Sequence, residues 1–168
     1  MKNLMNLTIT IMVLLFTSDS INLSAKTKVK DGYKLVFREE FKGRAQTMNA
    51  KHWGVPKRQN YMWARQISNS PSVYAITKGK LICKAIPNTV NPNDTAEMLT
   101  SAFSTKDKFE FKYGKAEVRL RTSNVEGNFP AVWLLPAEQK GVPFRYGEID
   151  IFETFGNDGK AHQTVHNH

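Results

Sequence analysis

Residues 148–153 read "EIDIFE", inside the longer stretch "YGEIDIFETFG" (146–156). Glu148, Asp150 and Glu153 thus place three carboxylates among Ile149, Ile151 and Phe152. On a strand, residues two apart share a face, so Glu148 and Asp150 point together and Glu153 points away. Two carboxyl groups about 5–5.5 Å apart can carry out a displacement with retention at a sugar carbon, one as nucleophile and the other as acid, then base. Like charges held that close push one pKa up, which keeps a proton available near neutral pH. An Asp between them can hydrogen-bond the nucleophile and modulate its charge. The parity of Glu153 calls for a β-bulge at Ile151-Phe152, since one inserted residue returns the third acid to the face of the first two. Spacing alone leaves a plainer arrangement open, with Glu153 directed into solvent at the strand end.

The elements that must hold these acids read as short strands separated by turn chemistry. "YKLVFREEF" (33–41), "HWGV" (52–55), two strands within "LTSAFSTKDKFEFKYGKAEVRLRT" (99–122), "NFPAVWLLP" (128–136) and "HQTVHNH" (162–168) are expected strands. "SVYAITKGKLICKAI" (72–86) reads as a hairpin turning at Lys78-Gly79, and "PNTVNPNDTAEM" (87–98) as a loop. No segment of ten or more residues carries a 3.6-residue apolar period. An all-β antiparallel sandwich follows. Alternation sends Ile149, Ile151 and Val165 inward. It leaves Glu148, Asp150, Trp133, Phe129 and His166 together on the other face. Arg119 and Glu117 share a face and are expected to pair.

The chain has 168 residues, is 40% hydrophobic and carries a net charge of +9. That composition suits one globular domain rather than a disordered chain. Lys2 followed by the apolar run Leu7–Phe16 and then small residues predicts a secretory signal over residues 1–25. The run is shorter than the ~20 residues a membrane span needs, and no second run of spanning length exists. The mature part, 26–168, is therefore expected to be secreted, periplasmic or extracellular, with no membrane span. The one cysteine, Cys83, leaves no intrachain disulfide to be made. The basic surplus admits an anionic polymer as partner. In an exported protein, net charge alone does not argue for nucleic acid.

"GEIDIFE" resembles the signature of glycoside hydrolase family 16, in the bulged form of its laminarinase-like members. "YGKAEVRLR" and "GNFPAVWLLP" stand ahead of it in the family's order and spacing, and "LVFREEF", "VYAITKGKLICKA" and "QTVHNH" also resemble family strands. The resemblance spans roughly residues 33–168. It implies a jelly roll of the concanavalin A-like kind and endo-hydrolysis of a β-linked polysaccharide with retention, by a monomer. Glu148 matches the nucleophile, Asp150 the assisting acid and Glu153 the general acid/base. Trp133 matches an aromatic lining the sugar cleft and His166 a cleft histidine. Trp63 and Arg65, in "YMWAR", are candidates for shaping the glycone subsites. No cofactor is required and no catalytic metal is expected. A structural Ca2+ is common in the family, and Glu40 is a candidate contributor.

Two positions depart from the common family pattern. Phe129 stands where many members have Trp before the "PA" pair, and "VPFRYG" stands where many have Trp ahead of the acids. Both belong to segments near the cleft. The favoured substrates are β-1,3- or mixed-linkage glucans. The alternative is a β-galactan, whether agar-type or a host O-glycan chain, and Arg58, Arg65 and Arg145 would suit a sulfated or sialylated one. A non-catalytic carbohydrate-binding jelly roll would share Trp133 but has no need of three acids in register. A metal site from His162, His166 and His168 is disfavoured, because strand side chains on one face do not converge. Family domains typically hold more strands than 168 residues supply. The chain is accordingly expected to be an N-terminal fragment of a jelly roll lacking its C-terminal strands, poorly stable and inactive alone.

Overall fold

The computed structural model describes residues 13–15, 29–30, 32–42, 47–60, 62–89, 93–137 and 146–167. These fall into two compact units, 13–114 and 115–167. All ladders between strands are antiparallel, and there is no α-helix among the described residues. The fold class is all-β. No helix among the described residues is long and apolar enough to cross a membrane.

In the first unit, β1 (Val13–Leu15), β2 (Val29–Lys30) and β3 (Tyr33–Phe37) form one sheet with β3 central. Apart from Val13–Leu15, the expected signal segment lies outside the described residues. β4 (Tyr74–Thr77) and β5 (Lys80–Cys83) make the expected hairpin. Its two-residue turn has positive φ at both Lys78 (49°) and Gly79 (68°), the backbone whose twist matches paired strands. β6 (Ala85–Pro87) pairs with β7 (Met98–Thr100) across the Pro- and Asn-rich loop. The apolar centre of this unit includes Ala64, Ile67, Val73 and Leu99.

Two strand expectations fail here. "HWGV" is not a strand. Asn49 accepts from the amides of His52 and Trp53 to make a turn, and Gly54 forms a lone bridge to Ser104. The stretch 99–122 supplies only the end of β7, and "YGKAEVRLR" joins no strand among the described residues. Alternation encodes two faces for a side-chain row, but a strand also needs a neighbour to take its backbone hydrogen bonds. The expected Arg119–Glu117 pair is displaced by Lys115, whose Nζ lies 2.5 Å from Glu117.

The second unit holds β8 (Ala131–Leu134), β9 (Gly147–Glu153) and β10 (His162–Asn167), in the order β10-β9-β8. The acid-bearing strand is therefore central. Parity is as expected, but burial is not. Ile149 is 48% exposed and Val165 71%, whereas Asp150 is only 2% exposed. Strand period assigns a side chain to a face, and only a second layer buries that face. Over Ile149 and Val165 the described residues lay no close cover. Phe152, on the same apolar face, is buried.

Candidate active site

Three strands converge on the acids, and their registers decide which side chains meet. Directly opposed residues of an antiparallel pair project to one face. Across β8–β9, Trp133 opposes Asp150, Val132 opposes Phe152 and Ala131 opposes Glu153, with a register shift between Val132 and Trp133. β9 thus advances two residues, from Asp150 to Phe152, while β8 moves by one. Ile151 is the extra residue, within the Ile151-Phe152 step expected for the bulge. β10 agrees: His166 opposes Glu148, Thr164 opposes Asp150 and His162 opposes Glu153, with a shift between His162 and Thr164. Glu148, Asp150, Glu153, Trp133, His166 and His162 consequently occupy one face of the sheet.

Asp150 lies at the centre of this group. Its Oδ2 is 3.1 Å from His166 Nε2, and its buried Oδ1 has no hydrogen-bond partner. One ligand atom each of Glu148, Asp150 and His166 lies within 4.8 Å of the others, a spacing that could chelate a cation. The Tyr146 hydroxyl donates to Glu148 Oε2 at 2.5 Å. Glu153 has its pKa raised. Burial is the largest cause, the charges of Asp150 and Glu148 add to it, and His166 and His162 partly offset it. One carboxyl group with its pKa raised, close to a second carboxyl group, is the kind of pairing that acid-assisted displacement uses.

The exit from β9 is braced. Gly156, at φ 56°, donates its amide to Asn128 O at 2.8 Å, and Thr154 donates to Pro130 O at 3.3 Å. These bonds tie the segment after the acids to the one before β8. There Phe129 stacks on Phe155 at 4.9 Å and 17°, and Phe155 meets the His162 ring edge-on at 4.9 Å. His162 Nε2 is held 2.6 Å from Asp158 Oδ2. An aromatic ledge thereby flanks the Glu153 end of the acid row.

Trp63 and Arg65 belong to the other unit, in the 3-10 turn Met62–Gln66, and both are exposed. Arg58 is committed elsewhere: it pairs with Asp94 at 2.6 Å and donates to Ile67 O at 2.8 Å. Glu40 pairs with Arg38 at 2.8 Å and Lys42 at 3.1 Å, which leaves it poorly suited to calcium. Arg145 and His168 lie outside the described residues. Sequence reasoning missed Tyr146, His162, Asp158 and Phe155 as companions of the acids. Tyr146 could have been found from its spacing of two from Glu148. The others come close through a bulge and a loop, which periodicity does not register.

Residues 57–168 match the family model described as Glycosyl hydrolases family 16. The chain is 29% identical over 147 residues to a keratan-sulfate endo-1,4-beta-galactosidase from Sphingobacterium multivorum, covering 86% of this chain and 34% of that protein. It is 27% identical over 158 residues to glucan endo-1,3-beta-glucosidase A1 from Niallia circulans, covering 80% of this chain and 22% of that protein. To a beta-glucanase from Rhodothermus marinus it is 34% identical over 118 residues, covering 68% of this chain and 38% of that protein. The chain thus spans between about a fifth and two fifths of the length of these relatives.

Proposed function

The chain belongs to glycosyl hydrolase family 16, and from that premise we propose that the full-length protein is a secreted, endo-acting retaining glycoside hydrolase that cleaves a β-linked polysaccharide. The observation that carries this reading is the bulged β9, which presents Glu148, Asp150 and Glu153 on one face with Glu153 inclined to keep its proton. Glu148 attacks the anomeric carbon. Glu153 protonates the departing glycosidic oxygen and then, as a carboxylate, takes a proton from the incoming water. Asp150, anchored by His166, fixes the polar environment between them. Trp133, opposite Asp150, offers a ring face against which a sugar's C–H face can pack. Phe129 is a cleft-edge contact. The reaction requires no cofactor, and a structural Ca2+ is compatible with it.

A β-1,3- or mixed-linkage glucan is the favoured substrate, in keeping with the two glucan-cleaving relatives. A sulfated β-galactan is the second reading. It is favoured by the +9 charge and by the keratan-sulfate-cleaving relative, whose match covers 86% of this chain. The enzyme acts as a monomer. A polysaccharide panel on the full-length protein, with product sizing, tests all of this: laminarin, mixed-linkage glucan, agarose-type galactan and keratan sulfate. Endo-type products of retained configuration from a glucan are the expected result. Cleavage of galactans alone would move the assignment to the second reading. Tight binding without turnover of any polymer would favour a carbohydrate-binding module.

A further inference from the structure

The contact between Tyr146 and Glu148 points to a division of labour between the two half-reactions. We propose that Tyr146 is a positioning residue for Glu148 that chiefly serves release of the sugar from the glycosyl-enzyme. The inference rests on reading Glu148 as the nucleophile. Tyr146 and Glu148 are two residues apart, and the phenol reaches the carboxylate directly, donating to Oε2 at 2.5 Å. A carboxylate only accepts, so the proton is the tyrosine's. His166, which opposes Glu148 across the strand, is hydrogen-bonded to Asp150 instead. With Oε2 held by Tyr146, Oε1 is left to form the covalent bond.

The hydrogen bond changes strength as the charge on Glu148 changes. In the first step Oε1 bonds to the anomeric carbon. The bond from that carbon to the departing oxygen breaks with its electron pair, and Glu153 supplies the proton. Glu148 becomes a neutral ester, a weaker acceptor for the phenol than a carboxylate. In the second step water attacks the same carbon and gives a proton to Glu153. The carbon–Oε1 bond breaks, and its electron pair returns to Glu148. The carboxylate reappears and the bond from Tyr146 strengthens as it does so. A donor at this position stabilises the leaving group of the second step. In the first step it restrains the nucleophile.

Tyr146 is 45% exposed, so Tyr146→Phe removes one hydroxyl without emptying the core. The experiment uses the full-length protein with a 2,4-dinitrophenyl β-glycoside of a β-1,3-linked glucose disaccharide, or of a β-linked galactose-containing disaccharide if the polysaccharide panel favours galactan. Dinitrophenolate leaves without proton assistance, which makes the first step fast without help from Glu153 and lets the second step show. Tyr146→Phe is expected to lower kcat roughly ten-fold, within the range for loss of a hydrogen bond to a charged group. KM should fall with it. A stoichiometric burst of dinitrophenolate should appear, with the glycosyl mass retained on the protein. Azide, which intercepts a glycosyl-enzyme, should raise kcat of the variant. A general loss of structure would produce neither the burst nor the azide response. Unchanged kcat, or kcat and kcat/KM falling together with no burst, would overturn the proposal while leaving the glycosidase reading intact. No turnover and no adduct with wild-type full-length protein would overturn both.

Discussion

Each unit of this chain sets a carboxylate against a histidine, and the two pairs behave in opposite ways. Glu39 lies 3.0 Å from His52 Nδ1, accepts from the Phe41 amide at 2.9 Å and takes a longer bond from Trp53 Nε1 at 3.4 Å. Burial alone would raise its pKa, but the bonds from His52, Phe41 and Trp53 prevail and it is lowered. Asp150 also meets a histidine, yet one of its oxygens is buried with no partner, and Glu148 and Glu153 crowd the same face. There the burden shows on Glu153, which is raised. A carboxylate–histidine contact therefore does not by itself mark a site. What distinguishes the acid face of β9 is charge left uncompensated, which structural pairs avoid and catalytic ones use.

The largest effect that could break this contrast comes from exchanging the two acids for amides. Glu148→Gln is expected to reduce turnover of the preferred polysaccharide by on the order of 10^4-fold or more, since it replaces the attacking carboxylate with a neutral amide whose oxygen is a poor nucleophile. Glu39→Gln should leave kcat within about three-fold of wild type, because its bonds act on the fold. If Glu39→Gln abolished turnover with an intact melt, the division between structural and catalytic acids would be wrong. Glu153→Ala comes next, with a loss of about 10^2–10^4-fold on polysaccharide. That loss should shrink in the bond-breaking step of a dinitrophenyl glycoside, whose leaving group needs no proton. Equal losses on both substrates would remove Glu153 from the acid role.

Stability should respond with opposite signs. Glu39 is lowered, so it contributes stability above its unfolded pKa that is lost as pH falls through its folded one. Glu39→Gln should cost about 1.5–3 kcal/mol at neutral pH, the usual worth of hydrogen bonds to a charged group. The gap from wild type should close in acid. Glu153 is raised, so its contribution is present below its unfolded pKa and is lost as pH rises through its folded one. At neutral pH Glu153→Gln should melt at or slightly above wild type. Thermal melts at acid and neutral pH measure both. A Glu153→Gln variant that was strongly destabilised at neutral pH would contradict the crowding described for the acid face.

How far the sequence anticipates these two regions differs for a physical reason. The acid face was legible because period-two alternation fixes parity, and the single parity fault at Glu153 located the extra residue near Ile151. Trp133 and His166 were placed on the acids' face by the same rule, without reference to their roles. Burial was not legible: Ile149 and Val165 read as core and stand exposed, because coverage depends on another layer. The Glu39–His52–Trp53 cluster was invisible because a turn at Asn49, rather than a strand, brings "HWGV" back to Glu39. The commitments of Arg58 to Asp94 and of Glu40 to Arg38 and Lys42 were equally hidden, since neither partner choice follows from composition or period.

The smallest predicted effect bears on what tempers the acid face. The titratable groups facing Glu153 are Glu148 and Asp150 on its own strand and His162 and His166 on β10, while β8 offers Ala131, which has no charge. His162 is the one directly opposite, and Asp158 holds its Nε2, so its ring is fixed and not merely nearby. Its positive charge, when present, favours ionised Glu153 and lowers that group's pKa. Replacing it should let the pKa climb further. Because the first step needs Glu153 protonated, activity falls as pH rises through that pKa, so the alkaline limb of kcat/KM should move to higher pH in His162→Gln. The displacement is expected to be small, because solvent screens the interaction between the two charges. Asp158→Asn should shift the limb in the same direction and by less, since it loosens the imidazole without removing it. A shift to lower pH in either variant would mean that His162 acts on the acid row through something other than its charge.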